Sequence, residues 1–231
     1  MPLSRRTFLT ASTLSASTLL LGAETTSRVA LTPTSLAPTP LPLATPLAKL
    51  DGLSEKLITS HYENNYKGAV KRLGLITQQI NELSSQTPPP YLRGSLARES
   101  LIATNSMILH ELYFENLGSE GSLHGDLAHA LEESFGSVEN WSKDFKLLAS
   151  SLAGGSGWVV LSYCARTKTL INVRAENHIE GLSTGIPLLV CDMYEHAYHI
   201  DFGANAKGYI EAFMKNLNYT AASKRFGQIK L

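Results

Sequence analysis

The sequence predicts an α+β protein in which helices are followed by a short antiparallel sheet and then by further helices. Three observations support this prediction: apolar residues recur at helical spacing up to residue 117, three short apolar runs lie between residues 158 and 193, and helical spacing resumes after Gly203. The chain has 231 residues, of which 43% are hydrophobic and 17% are charged, which is typical of a globular protein with a core.

The charge balance limits the classes of partner. Lys plus Arg and Asp plus Glu each number 20, so the chain has no basic surplus of the kind that attracts nucleic acid. We therefore expect no nucleic-acid partner and a small substrate.

The first residues predict an export signal. Arg5 and Arg6 precede a run of Ser, Thr, Ala and Leu that ends at Leu21, which is typical of a twin-arginine signal peptide. The run is too short and too rich in hydroxyl side chains to span about 30 Å of hydrocarbon. We expect a signal peptide over residues 1–23, export by the twin-arginine route to the periplasm or cell surface, and no stable membrane insertion.

The next stretch predicts a linker over residues 24–49, because five prolines lie within residues 31–49 and favour an extended tether. The folded part is expected to comprise an N-terminal helical hairpin domain over residues 50–120 and a C-terminal α+β domain over residues 121–231.

The hairpin is predicted from a stripe of residues mostly four apart, with Ser54 as the N-cap. The stripe comprises Leu57, His61, Asn65, Ala69, Leu73, Ile76, Ile80 and Leu83. Three prolines at residues 88–90 end this helix and allow an antiparallel second helix over residues 96–117. His61 and His110 then lie on inward-facing stripes of the two helices.

The C-terminal part predicts a helix over residues 126–134, another that Ser137 caps, and then three strands over residues 158–163, 170–174 and 188–193. A meander would place the second strand between the other two, so that Cys164 and Cys191 would not face each other. An oxidising destination would allow one disulfide between them, but with the strands in this order two buried free thiols are expected.

Asp192 and His196 predict a metal site, because they stand four residues apart where an apolar strand ends. Burying an ionised carboxylate there is costly unless a positive charge compensates. His61 or His110 alone would more simply be a hydrogen-bonded core residue. Three imidazoles and one carboxylate, however, suit a transition metal better than calcium, magnesium or a structural zinc ion. The candidate metal ligands are therefore His61, His110, Asp192 and His196.

These residues resemble the iron/manganese superoxide dismutase family. The segment Asp192–Tyr198 resembles the family's Asp-x-Trp-Glu-His-Ala-Tyr motif, and residues 135–137 and 155–158 match two further family segments. His61 and His110 fall where the family has its two helical ligands. The resemblance implies a helical hairpin packed on the C-terminal α/β region, with one iron or manganese ion per subunit between them.

The resemblance also implies the reaction, which converts superoxide to dioxygen and hydrogen peroxide and here would serve oxidative-stress defence outside the cytoplasm. A third possibility is another redox enzyme on the same scaffold, for instance one that acts on peroxide, but the main alternative is a metal-binding protein with this fold and little or no dismutase turnover. Ala69 motivates that alternative, because it stands in the place of the family's gateway tyrosine.

Other departures concern the pocket and the subunit interface. Phe114 and Tyr194 replace tryptophans that usually wall the metal pocket, and His178 falls where the family has a glutamine or histidine that hydrogen-bonds solvent at the metal. His178 and Tyr194 are thus the candidate catalytic residues beside the ligands. The resemblance further implies a homodimer. In it, Glu195 reaches His196 of the other subunit, and Asn65 and His199 form a second cross-subunit pair.

Overall fold

The computed structural model describes residues 38–43, 50–83, 86–118, 121–181, 183 and 185–229. All of them belong to one compact unit, Pro33–Leu231. The predicted signal peptide, residues 1–23, lies outside the described residues, as does the predicted linker, residues 24–49, apart from a short piece without helix or strand. Within the described ranges, no helix is both long and apolar enough to cross a membrane.

The first predicted helix is divided into three parts. Helix α1 (Glu55–Ser60) begins where the Ser54 side chain accepts a hydrogen bond from the Leu57 amide at 3.0 Å. A π-helical segment (His61–Tyr66) follows, and then α2 (Lys67–Leu83). A π turn bonds residue i to i+5 and so changes the register of the helix face. Tyr66 is buried, whereas Asn65 is only half-buried, which the four-residue stripe did not predict.

Helix α3 (Pro90–Glu115) completes the hairpin. It begins at Pro90 instead of near Leu96, because a proline at the first helical position needs no backbone donor. Apolar side chains of α2 and α3 pack together in a small cluster that includes Ile76, Leu96 and Ala103. The predicted helical hairpin is therefore confirmed.

Two helices precede the sheet. Helix α4 (Asp126–Phe135) ends at Gly136, whose φ of 81° is left-handed, and α5 (Val138–Ser150) begins where the Ser137 hydroxyl accepts a hydrogen bond from the Asn140 amide at 3.1 Å. The strands are β1 (Trp158–Cys164), β2 (Thr169–Ala175) and β3 (Ile186–Asp192). Both neighbouring pairs are antiparallel.

The predicted meander order was wrong, because the sheet order is β2-β1-β3 with the first strand in the centre. Cys191 pairs with Val159 near the start of β1, whereas Cys164 lies at the far end of that strand. Both cysteines are free, as expected, although only Cys191 is fully buried. The separation along the strand, and not an intervening strand, keeps the thiols apart.

The chain ends with a 3-10 turn (Glu195–Ala197), α6 (His199–Phe202), α7 (Ala206–Lys215) and α8 (Tyr219–Gly227). One hydrophobic cluster includes side chains from the hairpin, the sheet and the later helices, among them Leu57, Tyr113, Phe145, Trp158, Leu189 and Phe213. The hairpin and the C-terminal region thus share a core, which agrees with the predicted α+β fold. The predicted division at residue 120 into two domains stays a prediction.

Candidate metal centre

Four elements bring the predicted ligands together. His61 is the first residue of the π segment, His110 lies near the end of α3, Asp192 ends β3, and His196 lies in the 3-10 turn that follows. One ligand atom from each residue lies within 4.8 Å of all the others. All four side chains are buried except that of His196, which is 28% exposed.

The distances fit a single ion. Asp192 Oδ2 lies 3.1 Å from His61 Nε2, 3.2 Å from His196 Nε2 and 3.6 Å from His110 Nε2. Two ligand atoms that are each about 2.1 Å from one metal ion lie about 3.0–3.6 Å apart. The same nitrogen of each imidazole therefore faces the same carboxylate oxygen at ligand spacing.

Backbone contacts fix the orientation of the ligands. His110 Nδ1 lies 2.6 Å from the Ser106 carbonyl oxygen and donates to it, so that Nε2 is the nitrogen left for a ligand. Asp192 Oδ1 accepts a hydrogen bond from the Tyr194 amide at 2.8 Å, which leaves Oδ2 for the imidazoles. The Tyr209 hydroxyl of α7 donates to the Asp192 carbonyl at 2.7 Å and holds the end of β3.

The electrostatic state of these groups is that of metal ligands. Burial lowers the pKa of His110 to about 3 and also lowers the pKa of His61, so both rings are neutral at pH 7. Burial by itself would raise the pKa of Asp192, but His196 and His61 together hold it well below its ordinary value. Neutral imidazoles and an ionised carboxylate are the forms that bind metal ions.

The site fits iron or manganese. The Asp192 carboxylate has no exposure to solvent, and His110 Nε2 is buried without a hydrogen-bond partner among the described residues. A buried anion requires a compensating positive charge, and a buried unpartnered nitrogen requires a group that accepts its lone pair; a cation between them would supply both. Three nitrogen ligands and one oxygen ligand suit a transition metal.

Aromatic rings surround the ligands. The centre of the His61 ring lies 4.9 Å from the Tyr113 ring and 5.1 Å from the Phe114 ring. The Trp158 ring lies 5.1 Å from His110, edge to face. These walls exclude water from one side of the site and strengthen electrostatic interactions within it.

His178 and Tyr194 lie beside the ligands and not among them. The Tyr194 ring stacks between His178 and His196, with ring centres 4.9 and 5.4 Å away. Trp158 Nε1 lies 2.9 Å from His178 Nδ1. Because an indole N–H only donates, Nδ1 must accept, and the neutral His178 ring carries its proton on Nε2. Burial lowers the pKa of His178, which favours this neutral form.

The register of the sheet explains this arrangement. Trp158 pairs with Ala175 on one side and with Asp192 on the other. The three residues therefore lie in a row at one end of the sheet, and the chain that leaves Ala175 reaches His178 three residues later. A tryptophan, a ligand and a candidate catalytic histidine meet at this edge.

The remaining predicted positions lie outside the group of candidate ligands. Ala69 is buried in α2, and Asn65 is half-buried in the π segment. Glu195 and His199 are exposed, so both are accessible to another subunit.

Sequence reasoning did not assign roles to two residues that the structure brings to the site. Trp158 hydrogen-bonds His178, and Asn105 Nδ2 donates to the His178 carbonyl at 2.5 Å. The only sequence signal for Asn105 is its position next to Ser106 on the inward face of α3. Neither contact could be predicted without the strand register and the loop conformation.

Comparisons with known proteins agree with this site. Residues 123–225 match the family described as iron/manganese superoxide dismutases, C-terminal domain. A superoxide dismutase [Fe] of Cupriavidus metallidurans is 54% identical over 185 residues, which cover 80% of this chain and 94% of that protein. Similar proteins also include a superoxide dismutase [Fe] of Methanothermobacter thermautotrophicus, 32% identical over 77% of this chain and 88% of that protein.

A further relative, superoxide dismutase [Mn] 1 of Halobacterium salinarum, is 30% identical over 76% of this chain and 88% of that protein. The similarity thus extends over the helical hairpin as well as the C-terminal region, and relatives of both metal types are found. The chain belongs to the iron/manganese superoxide dismutase family.

Proposed function

We propose that this protein is a superoxide dismutase, an oxidoreductase that converts superoxide to dioxygen and hydrogen peroxide. The observation that carries the proposal is the convergence of three imidazole nitrogens on one oxygen of the buried Asp192 carboxylate, at 3.1–3.6 Å. The chain's membership of a family of such enzymes supports the same conclusion.

In this proposal His61, His110, Asp192 and His196 hold one iron or manganese ion. When bound, the ion would supply a redox couple that takes an electron from one superoxide and gives it to the next. Asp192 keeps a negative charge because His196 and His61 hold its pKa well below the ordinary value, and the Tyr194 amide at 2.8 Å fixes the position of Oδ1. The Ser106 carbonyl keeps the His110 ring in one tautomer and one orientation.

His178 and Tyr194 have supporting roles in the proposal. His178 offers its Nε2–H as a donor, because Trp158 occupies Nδ1. A donor beside the ligands orients a small anion and stabilises negative charge that develops on it. The Tyr194 ring stacks on both His178 and His196 and holds the two imidazoles in parallel planes, 16° and 19° from its own.

The second candidate function is metal binding with little or no dismutase turnover. Ala69 favours it, because a methyl side chain in α2 provides no hydroxyl for proton transfer. Purified protein loaded with iron or with manganese should consume superoxide and release one hydrogen peroxide for every two superoxide ions, and chelation should abolish the activity. Fully metallated protein that is no faster than a metal-free control would establish the second candidate instead.

The proposal includes a homodimer whose interface contains Glu195, His196, Asn65 and His199. Glu195 and His199 are exposed in the single chain. His196 Nε2 faces Asp192 Oδ2 at 3.2 Å, which leaves Nδ1 as the nitrogen for another partner. A carboxylate from a second copy would supply that partner and orient the ligand.

Export by the twin-arginine route is also part of the proposal. It is supported by Arg5 and Arg6 ahead of a run of small and apolar residues. Replacing both arginines by lysine should leave the protein in the cytoplasm, as cell fractionation would show. A double-lysine variant that still reaches the periplasm or the cell surface would rule out this route.

A further inference from the structure

We propose that Asn105 is a positioning residue. It attaches the loop that contains His178 to helix α3 and thereby determines how far the His178 Nε2–H extends into the metal pocket. This inference rests on the proposed function for its chemical meaning. The contact itself does not depend on that function, since Asn105 is 95% buried and its Nδ2 donates to the His178 carbonyl at 2.5 Å.

Two consecutive residues of α3, Asn105 and Ser106, each form a hydrogen bond with a different histidine. Asn105 binds the backbone of His178, and the carbonyl of the next residue, Ser106, accepts the Nδ1–H of His110 at 2.6 Å. The ring centres of His110 and His178 are 6.5 Å apart. A single helical turn therefore determines where a ligand and a neighbouring donor lie relative to each other.

The loop depends on outside contacts for its position. Its other hydrogen bonds include three internal ones: the Glu176 amide to Glu180 at 2.8 Å, Asn177 Nδ2 to Glu180 at 3.0 Å, and the Ile179 amide to Asn177 at 2.7 Å. Hydrogen bonds within a loop fix its shape but do not attach it to the rest of the protein. Ser156 binds the Glu176 carbonyl at 3.1 Å at the exposed end, whereas Asn105 supplies the attachment at the buried end, beside the metal ligands.

The side-chain contacts of His178 cannot replace this attachment. Trp158 and Tyr194 fix the tautomer and the plane of the ring, but the ring moves with its backbone. A catalytic donor loses efficiency when it is displaced by a fraction of an ångström to one ångström. Asn105 thus acts through His178 and does not touch the substrate.

The test uses the iron-loaded full chain and two readouts other than turnover. The first is backbone hydrogen exchange of residues 176–181, and the second is the affinity and visible absorption spectrum of the complex with azide, a small anion. Asn105→Leu keeps the branching and approximate size of the side chain but removes the donor. Thr104→Val is the matched control, because it removes a hydroxyl from the adjacent, half-buried position of the same helix.

We expect Asn105→Leu to retain iron, to increase exchange of residues 176–181 by about 10-fold, and to weaken azide binding by roughly 3–10-fold. Thr104→Val should change neither quantity. In a His178→Ala background, Asn105→Leu should have no further effect on azide affinity, because the residue through which it acts is gone.

Unchanged loop exchange in Asn105→Leu, or an equal loss of azide affinity with and without His178, would overturn the proposal. If Asn105→Leu does not fold, backbone hydrogen exchange is measured in Asn105→Asp instead. This side chain has the same shape, and its carboxylate cannot donate to the His178 carbonyl. Failure of the superoxide assay alone would contradict the proposed function and leave the positioning role of Asn105 intact.

Discussion

The Asp192 carboxylate is buried completely, and its two oxygens have different partners. The Tyr194 amide holds Oδ1, and three imidazoles face Oδ2. Because an ionised carboxylate in this position is costly without a compensating charge, the residue itself indicates a cation site. The sequence identified this residue from the same physical reason, since an apolar strand precedes it directly.

His110 gives a prediction on pH dependence in the metal-free protein. Burial lowers its pKa to about 3, whereas the unfolded chain has an ordinary histidine pKa near 6.5. Between these values the unfolded state binds more protons, so stability falls as the pH falls, by about 1.4 kcal/mol per pH unit for this one group.

His110→Gln should therefore reduce the slope of unfolding free energy against pH by about that amount between pH 6 and pH 4. Urea unfolding at several pH values measures this slope independently of the variant's absolute stability. His124→Gln, which changes an exposed imidazole outside the site, is the control. Parallel curves for wild type and His110→Gln would show that His110 is not held neutral by burial.

Some site residues could not be predicted from the sequence. His61, His110, Asp192 and His196 were identified because their residue types and their family positions both indicate a metal. Asn105 carries neither signal, since a buried helix asparagine looks the same whether it binds a loop or its own helix. Only the folded path of the loop shows that its donor reaches the His178 carbonyl.

At the scale of elements, hydrophobic periodicity predicted which segments are helices and strands but not how they connect. The apolar runs of the three strands are similar, so nothing in them shows that β1 lies in the centre. The π segment was also invisible, because a four-residue stripe fits a helix of either kind over one or two turns. In this segment Tyr66 is buried and Asn65 is half-buried.

Gly157 is the element-scale position that we expect to be least tolerant of a side chain. Its φ is +141°, and a Cβ there would lie 2.2 Å from the Ala175 carbonyl oxygen, where β1 and β2 begin to pair. Gly157→Ala should therefore cost about 3 kcal/mol of unfolding free energy, from backbone strain and from displacement of the neighbouring strand.

Gly154→Ala is the matched comparison. Gly154 also has a positive φ, +73°, but no atom lies within 4 Å of the added Cβ, so only the backbone strain of about 1–2 kcal/mol applies. Equal losses for the two variants in urea unfolding would show that the close approach at Gly157 is not a constraint on the sheet.

At the scale of the whole molecule, the proposed homodimer links assembly to the metal site. If the Glu195 carboxylate binds His196 of a second copy, Glu195→Ala removes the same contact twice in a symmetric interface. The dimer dissociation constant should rise about 30-fold or more. Sedimentation equilibrium measures it.

The control for this prediction is Glu133→Ala, which removes an exposed carboxylate from α4. It should leave the dissociation constant unchanged. A Glu195→Ala protein that assembles as tightly as wild type would remove Glu195 from the interface, whatever the oligomeric state of the protein.

The central claim is that four residues from four elements hold one ion on which superoxide dismutation depends. Its most direct test is the metal content of purified Asp192→Ala and His110→Ala proteins by elemental analysis. We expect both variants to lose iron and manganese and to melt at a lower temperature than the loaded wild type, because bound metal stabilises the native state. Full metal occupancy in both variants would contradict the account.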